Sequence, residues 1–172
     1  MDTEEDIKTC SAVLGIDPGI GREFPGAAVL WNARGELRLH DWQGEIQASD
    51  FLDECAEYHI LDLAIIEKQW SWPGYSVTLM DKLIGNYHFW RGLLVSRRIP
   101  FLARAHKSWQ KGLPLNFKIK DTKQRSLEFV WSLFSEDFCK KYFNYQKNHG
   151  RADATIMAYR AQLYSGKEFK RP

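Results

Sequence analysis

The chain has few cysteines and no pair placed to act together. Cys10, Cys55 and Cys139 are the only three in 172 residues. An odd count without a CxxC excludes a disulfide framework and a zinc ribbon, leaving three reduced, buried thiols as the expectation. No apolar run approaches the roughly 20 residues that a membrane-spanning helix needs, so a soluble protein is expected. The opening MDTEEDIKTC is acidic. It has neither the basic-then-apolar layout of a signal peptide nor the Arg-rich, acid-poor character of a transit peptide, and a chain complete at this end would be cytoplasmic. There is no internal repeat, no low-complexity segment and no second-domain boundary. The length suits one domain over residues 1–172, able to bury roughly 70% of its unfolded surface without staples, with 1–10 and 166–172 expected to be flexible.

What the chain does have is unevenly spread charge. Residues 1–62 hold 4 Lys/Arg against 14 Asp/Glu, and residues 63–172 hold 20 against 8. Within the basic half, residues 97–125 carry nine cations and the single acid Asp121. That composition suits a phosphate-contacting surface better than an evenly mixed solvated face.

Hydrophobic periodicity sets the order of elements. SAVLGID (11–17) and GAAVLW (26–31) read as strands joined by a Gly/Pro-rich segment, and NARG (32–35) turns into ELRLHDW, giving a three-stranded antiparallel meander. ASDFLDECAEY (48–58) follows as a helix with Ser49 as N-cap, and LDLAIIE (61–67) as a strand buried on both faces, which implies parallel pairing through a helical crossover. Leu79, Leu83, Tyr87, Trp90 and Leu94 recur at helical spacing through 77–98, and IPFLARA (99–105) is a fifth strand. Helices are expected at 121–134 and 149–164, with 135–148 as the mobile loop. The result is an α/β fold with a five-stranded mixed sheet flanked by helices.

Three acids sit where apolar elements should not have them: Asp17 ending the first strand, Glu67 ending the fourth, and Asp153 in the first turn of the last helix. Buried carboxylates are strongly disfavoured unless paired, hydrogen-bonded or bound to a cation. Taken singly, Asp17 could form an Asx-turn, Glu67 could lie at an exposed strand end, and Asp153 could complement the helix dipole. Taken together, a sheet with strand one beside strand four would bring them into one oxygen-rich site suited to Mg²⁺ or Mn²⁺.

The motifs LGIDPG, AIIEKQ with a following WPG, GNYHFWRGLL, SWQKGL, KDTKQRSLE and HGRADATIMAY resemble, in order, those of the RuvC-like Holliday junction resolvases, in the branch similar to phage-borne and plastid enzymes. The resemblance runs from Val13 to about Tyr159. It implies an RNase H-like fold, a homodimer, branched DNA as partner, and symmetric metal-dependent nicking with two Mg²⁺ ions per site, Mn²⁺ substituting. It implies no nucleotide cofactor and no membrane, and it favours a phage or prophage source, with bacterial or organellar sources open.

Carried over by residue, Asp17, Glu67 and Asp153 are the metal-binding acids. Lys120 matches a lysine near the scissile phosphate, its alternative being one more phosphate-screening lysine. The fourth ligand is open. Bacterial members have an acid or His three residues before the last acid, where this chain has Gly150, and plastid-like members have an acid two residues after the first, where it has Gly19. His149, one turn before Asp153, is the substitute, or else a structural histidine. Trp70 falls where a loop aromatic stacks on junction bases; the alternative is that it packs in the core. Lys68, Arg97, Arg98, Lys107, Lys111, Lys118, Lys120, Lys123 and Arg151 are the expected DNA contacts.

Other readings remain at this stage. GIDPG also resembles the first phosphate loop of the actin, sugar-kinase and heat-shock superfamily, although 172 residues supply only one of the two domains needed. A catalytically silent junction-binding module, or a nuclease acting on other branched DNA or RNA–DNA hybrids, keeps the fold and changes the function.

Overall fold

A computed structural model describes residues 10–19, 25–70, 73–144 and 149–166. All but one residue of each terminus expected to be flexible lies outside these, as does part of the segment expected to be a mobile loop. Strands β1 (Cys10–Gly19), β2 (Pro25–Asn32), β3 (Leu37–Asp41), β4 (His59–Glu67) and β5 (Phe101–Arg104) form one sheet in the order β3-β2-β1-β4-β5. The first three pair antiparallel, while β4 joins β1, and β5 joins β4, in parallel. This is the expected mixed sheet. The helices are α1 (Glu45–Tyr58), α2 (Val77–Ser96), α3 (His106–Gln110), α4 (Thr122–Leu133), α5 (Glu136–Tyr142) and α6 (His149–Ser165). Among the described residues, no helix is long and apolar enough to cross a membrane.

The sheet separates two cores, and strand alternation decides which residue serves which. Ala12, Leu14 and Ile16 of β1, with Ala64 and Ile66 of β4, face a core completed by Phe51, Leu52, Tyr87, Trp90 and Leu94 of α1 and α2. Val13 and Ile65 face the other way, toward Phe129, Val130, Ala154, Ile156 and Ala158 of α4 and α6. The parallel β1–β4 register is irregular: Ala12 stands opposite Leu61, but Val13 stands opposite Leu63, so β4 carries one extra residue, Asp62. From there the pairing runs regularly to Ile16 with Ile66.

Helix α6 lies unusually close to β1. A Cβ on Gly15 would stand 1.8 Å from the Ala154 carbonyl oxygen and 2.4 Å from the Ala158 nitrogen. Only glycine admits helix backbone onto strand backbone here. Arg151, in the first turn of α6, ties the same helix to the meander: its Nε donates to Asp41 Oδ1 at 2.6 Å and its Nη1 to the Tyr142 carbonyl at 3.1 Å.

Two elements differ from the sequence reading. Helix α1 starts at Glu45, because Gly44, at φ 141, takes the N-cap position. Ser49, expected as the cap, lies inside the helix, and its hydroxyl accepts from Arg97 Nη2 at 2.7 Å. The segment expected as a mobile loop contains α5, anchored by buried Cys139 and Phe143, with Phe143 stacked on Phe134. The three cysteines are free and buried, as expected.

Candidate active site

Asp17 continues the Val13–Gly15 face of β1, and Glu67 the Leu63–Ile65 face of β4, so both point toward α6. They stand one step beyond the last register pair, Ile16 with Ile66. The Gly15 contact then sets the first turn of α6, and with it Asp153, against the same end of the sheet. Three carboxylates distant in sequence are thereby gathered at one place. Asp17 and Asp153 are each only 8% exposed, too little for water to solvate two anions.

The electrostatics follow from that burial. Asp17 is held well above the ordinary carboxylate range, first by desolvation and then by the negative charges of Glu67 and Asp153, against the Gly19 N–H that donates to Oδ1 at 3.2 Å. The Asx-turn reading of Asp17 is therefore met as well; the turn and the cluster coexist. Asp153 is pushed up to about 7 by burial and by Glu67, while the Ser126 hydroxyl, donating at 2.5 Å, together with His106 and Lys123, pulls it down. A buried cluster of oxygen donors that repel one another, with no soft ligand among them, suits a hard divalent cation. The carboxylates neighbour one another electrostatically without forming a closed cage: among the described residues, no three His, Cys, Asp or Glu groups are gathered as metal ligands are.

Glu67 is held by two side chains. Gln69 Nε2 donates to Oε2 at 3.2 Å, and His106 Nδ1 lies 2.9 Å from Oε1. The Glu67 hydrogen bond raises His106 above the ordinary imidazole range against the opposing effect of burial. His106, Ser126 and Gln110 are the site residues that the sequence reading missed. The available signal was HKSWQ directly after a strand pairing in parallel with β4, since that pairing sets Arg104 opposite Glu67 and brings α3 to the carboxylate.

The other expected site residues divide by position. His149 opens α6 in a half-buried position. The charges acting on Asp153 come from Glu67, His106 and Lys123. Trp70 is 44% exposed, with Lys68 Nζ 3.9 Å from its ring centroid; it lies on the surface three residues from Glu67, outside the core. Lys107, Lys111, Lys118, Lys120 and Lys123 are all exposed on α3, α4 and the segment joining them. That segment is well defined. Asp121 caps α4 by accepting from the Lys123 and Gln124 N–H groups, and Arg125 donates from Nε and Nη2 to the Ile119 carbonyl while lying 5.0 Å from the ring of Phe117, itself 60% exposed.

Arg97, Arg98 and Arg151 are placed differently. Arg97 forms a two-pronged ion pair with Asp53, both contacts at 2.7 Å, which fastens α2 to α1. Arg98 is exposed but precedes β5, whose far end is the one that reaches Glu67. Arg151 is occupied by Asp41 and Tyr142.

No family model matches the chain, and no curated protein matches it. Solved structures do. The chain is similar to Thermus thermophilus RuvC in complex with a Holliday junction substrate, at 12% identity and TM-score 0.55, covering 91% of this chain and 95% of that one. It is also similar to the fowlpox virus Holliday junction resolvase, at 17% identity and TM-score 0.51, covering 90% and 98%. The chain thus has the RuvC-type, RNase H-like fold over nearly its whole length.

Proposed function

We propose that the protein is a structure-selective, metal-dependent endonuclease that resolves four-way DNA junctions, a crossover junction endodeoxyribonuclease. The observation that carries the reading is the convergence of Asp17, Glu67 and Asp153 on one face of a RuvC-type sheet, two of them buried at like-charge cost. Structure of this kind is kept where it serves chemistry.

In this reading, Asp17, Glu67 and Asp153 hold Mg²⁺, two ions per site with Mn²⁺ able to substitute, and His149 stands near. When bound, the ions activate a water for attack on a phosphodiester and stabilise its leaving oxygen. The chain's own groups do the rest. Lys123, whose charge already acts on Asp153, and Lys120 draw the scissile phosphate toward the acids. Lys107, Lys111 and Lys118 hold the DNA arms through phosphates, whose sequence-independent attraction accounts for most of the affinity. Trp70 offers its face to a base unstacked at the junction centre. A two-fold homodimer, formed through α2, presents two equal sites to the two equivalent strands.

The test compares a mobile four-way junction, a linear duplex and an RNA–DNA hybrid as substrates, each with Mg²⁺ and with EDTA. Paired symmetric nicks in the junction alone, requiring metal, are expected, and Asp17→Asn should abolish them while binding stays equal or tightens. Preferential cleavage of the hybrid, or junction binding without any cleavage, would refute the reading, as would nicking by Asp17→Asn at the wild-type rate. Sedimentation with DNA present should show two protein chains per junction.

A further inference from the structure

Helix α3 is a single turn, yet two of its five residues hold a third against one carboxylate. His106 opens the helix with its ring at Glu67; Trp109 and Gln110 follow at the third and fourth positions, which share its face. Both are buried. The His106 ring meets the Trp109 indole edge-on, 5.0 Å between centroids at 82°, and Gln110 Nε2 lies 3.2 Å from His106 Nε2. The imidazole is thus gripped on both nitrogens and one edge. Arg104, the last residue of β5, accepts from the Lys68 N–H at 2.8 Å, so the backbone carrying His106 is fastened to the backbone carrying Glu67.

We infer that His106 is a positioning residue for Glu67, donating from Nδ1 so that the carboxylate is presented to the divalent cation in one orientation, with Gln110 and Trp109 fixing the ring. An ionised carboxylate only accepts, so Nδ1 carries the hydrogen whether the ring is neutral or charged. In the neutral ring, Nε2 accepts from the Gln110 amide N–H; in the charged ring, the amide turns to present its oxygen. With His106 on Oε1 and Gln69 on Oε2, Glu67 cannot rotate freely, which is how a partner behind a ligand sharpens a metal site. This inference rests on the metal-dependent reading proposed above and adds a residue to it.

The experiment measures Mn²⁺ binding to the DNA-free protein by electron paramagnetic resonance of the free ion, beside thermal unfolding by circular dichroism. The His106 side chain is 38% exposed, so truncation there should be tolerated. His106→Ala should weaken Mn²⁺ binding by about 10- to 100-fold, the usual effect of losing such a partner. The conservative pair separates positioning from packing: His106→Asn places an amide N–H where Nδ1–H stood, and His106→Gln places it where Nε2 stood. Asn should restore most of the affinity and Gln should not, at equal unfolding temperatures. Should the Ala variant prove unfolded, Gln110→Met, which frees the ring but keeps its bond to Glu67, should still lower affinity within about 10-fold. Wild-type affinity in a folded His106→Ala, wild-type affinity in Gln110→Met where the Ala variant is unfolded, or equal rescue by Gln and Asn, overturns the inference. Wild-type protein that binds no Mn²⁺ overturns the metal reading itself, a distinct result.

Discussion

Replacing Asp153 by asparagine should stabilise the metal-free protein at alkaline pH while abolishing the proposed cleavage. The carboxyl is pushed from 3.8 to about 7, chiefly by burial and by Glu67. An acid whose folded pKa lies above its unfolded value keeps its proton in the folded state after the unfolded chain has lost it. Stability therefore falls as pH rises from about 4 to about 7, and the full cost is present above that. A shift of roughly three units at about 1.36 kcal/mol each gives an upper figure of about 4 kcal/mol. Asparagine removes the charge, and its carbonyl oxygen can still accept the Ser126 hydroxyl that now donates to Oδ1. In EDTA, urea unfolding followed by circular dichroism should show wild type and Asp153→Asn nearly equal at pH 4, with the variant pulling ahead through neutrality by up to about 4 kcal/mol at pH 8. Adding Mg²⁺ should stabilise wild type more than the variant and narrow the gap, because a cation that binds only the folded state adds its binding energy to stability. A variant no more stable than wild type at pH 8, or a gap that does not change with pH, would refute the reasoning.

Gly15→Ala drives a methyl into the Ala154 carbonyl; it should cost about 1–3 kcal/mol in thermal unfolding, as overpacking does, and cut nicking by lifting Asp153 off the sheet, with unchanged values in both arguing against that contact. Trp70→Ala removes a half-exposed ring and should leave stability nearly unchanged, while slowing junction cleavage roughly 5- to 150-fold through the loss of about 1–3 kcal/mol of stacking; a drop in stability with normal cleavage would reverse the assignment. Neutralising Lys118 or Lys120 should lower the log–log salt slope of junction binding by about one, whereas Arg97→Gln, which breaks the Asp53 pair, should lower unfolding temperature and leave that slope alone.

Much of the fold was legible because it rests on alternation and turn residues within short windows, and Asp17 and Glu67 stood out as acids ending apolar strands. His106 did not, because its role arises from a β4–β5 pairing that no local pattern reports. Arg97 and Arg151 looked like surface cations for a similar reason: their carboxylate partners lie 44 and 110 residues away. Helix α5 was missed because seven residues give too short a period to distinguish from a polar loop. Trp70 was ambiguous since indole serves cores and bases alike, and only its exposure separates the two.

The extra residue in β4 is a spacer that the site can do without, whereas the strand beyond it is not. Ala12 stands opposite Leu61 and Val13 opposite Leu63, so the ladder steps over Asp62. Were Asp62 deleted, Leu61 and Leu63 would follow one another opposite Ala12 and Val13, the pairing of Ile16 with Ile66 would be kept, and Glu67 would still reach the acids beside Asp17. A residue lost between Leu63 and Glu67, with Val13 still opposite Leu63, would instead turn Glu67 to the side of the sheet occupied by α1 and α2, since a one-place slip reverses every side chain. His106, Ser126 and Asp153 would then remain intact around a missing ligand. The length of β4 should therefore tolerate change at Asp62 and none between Leu63 and the acid.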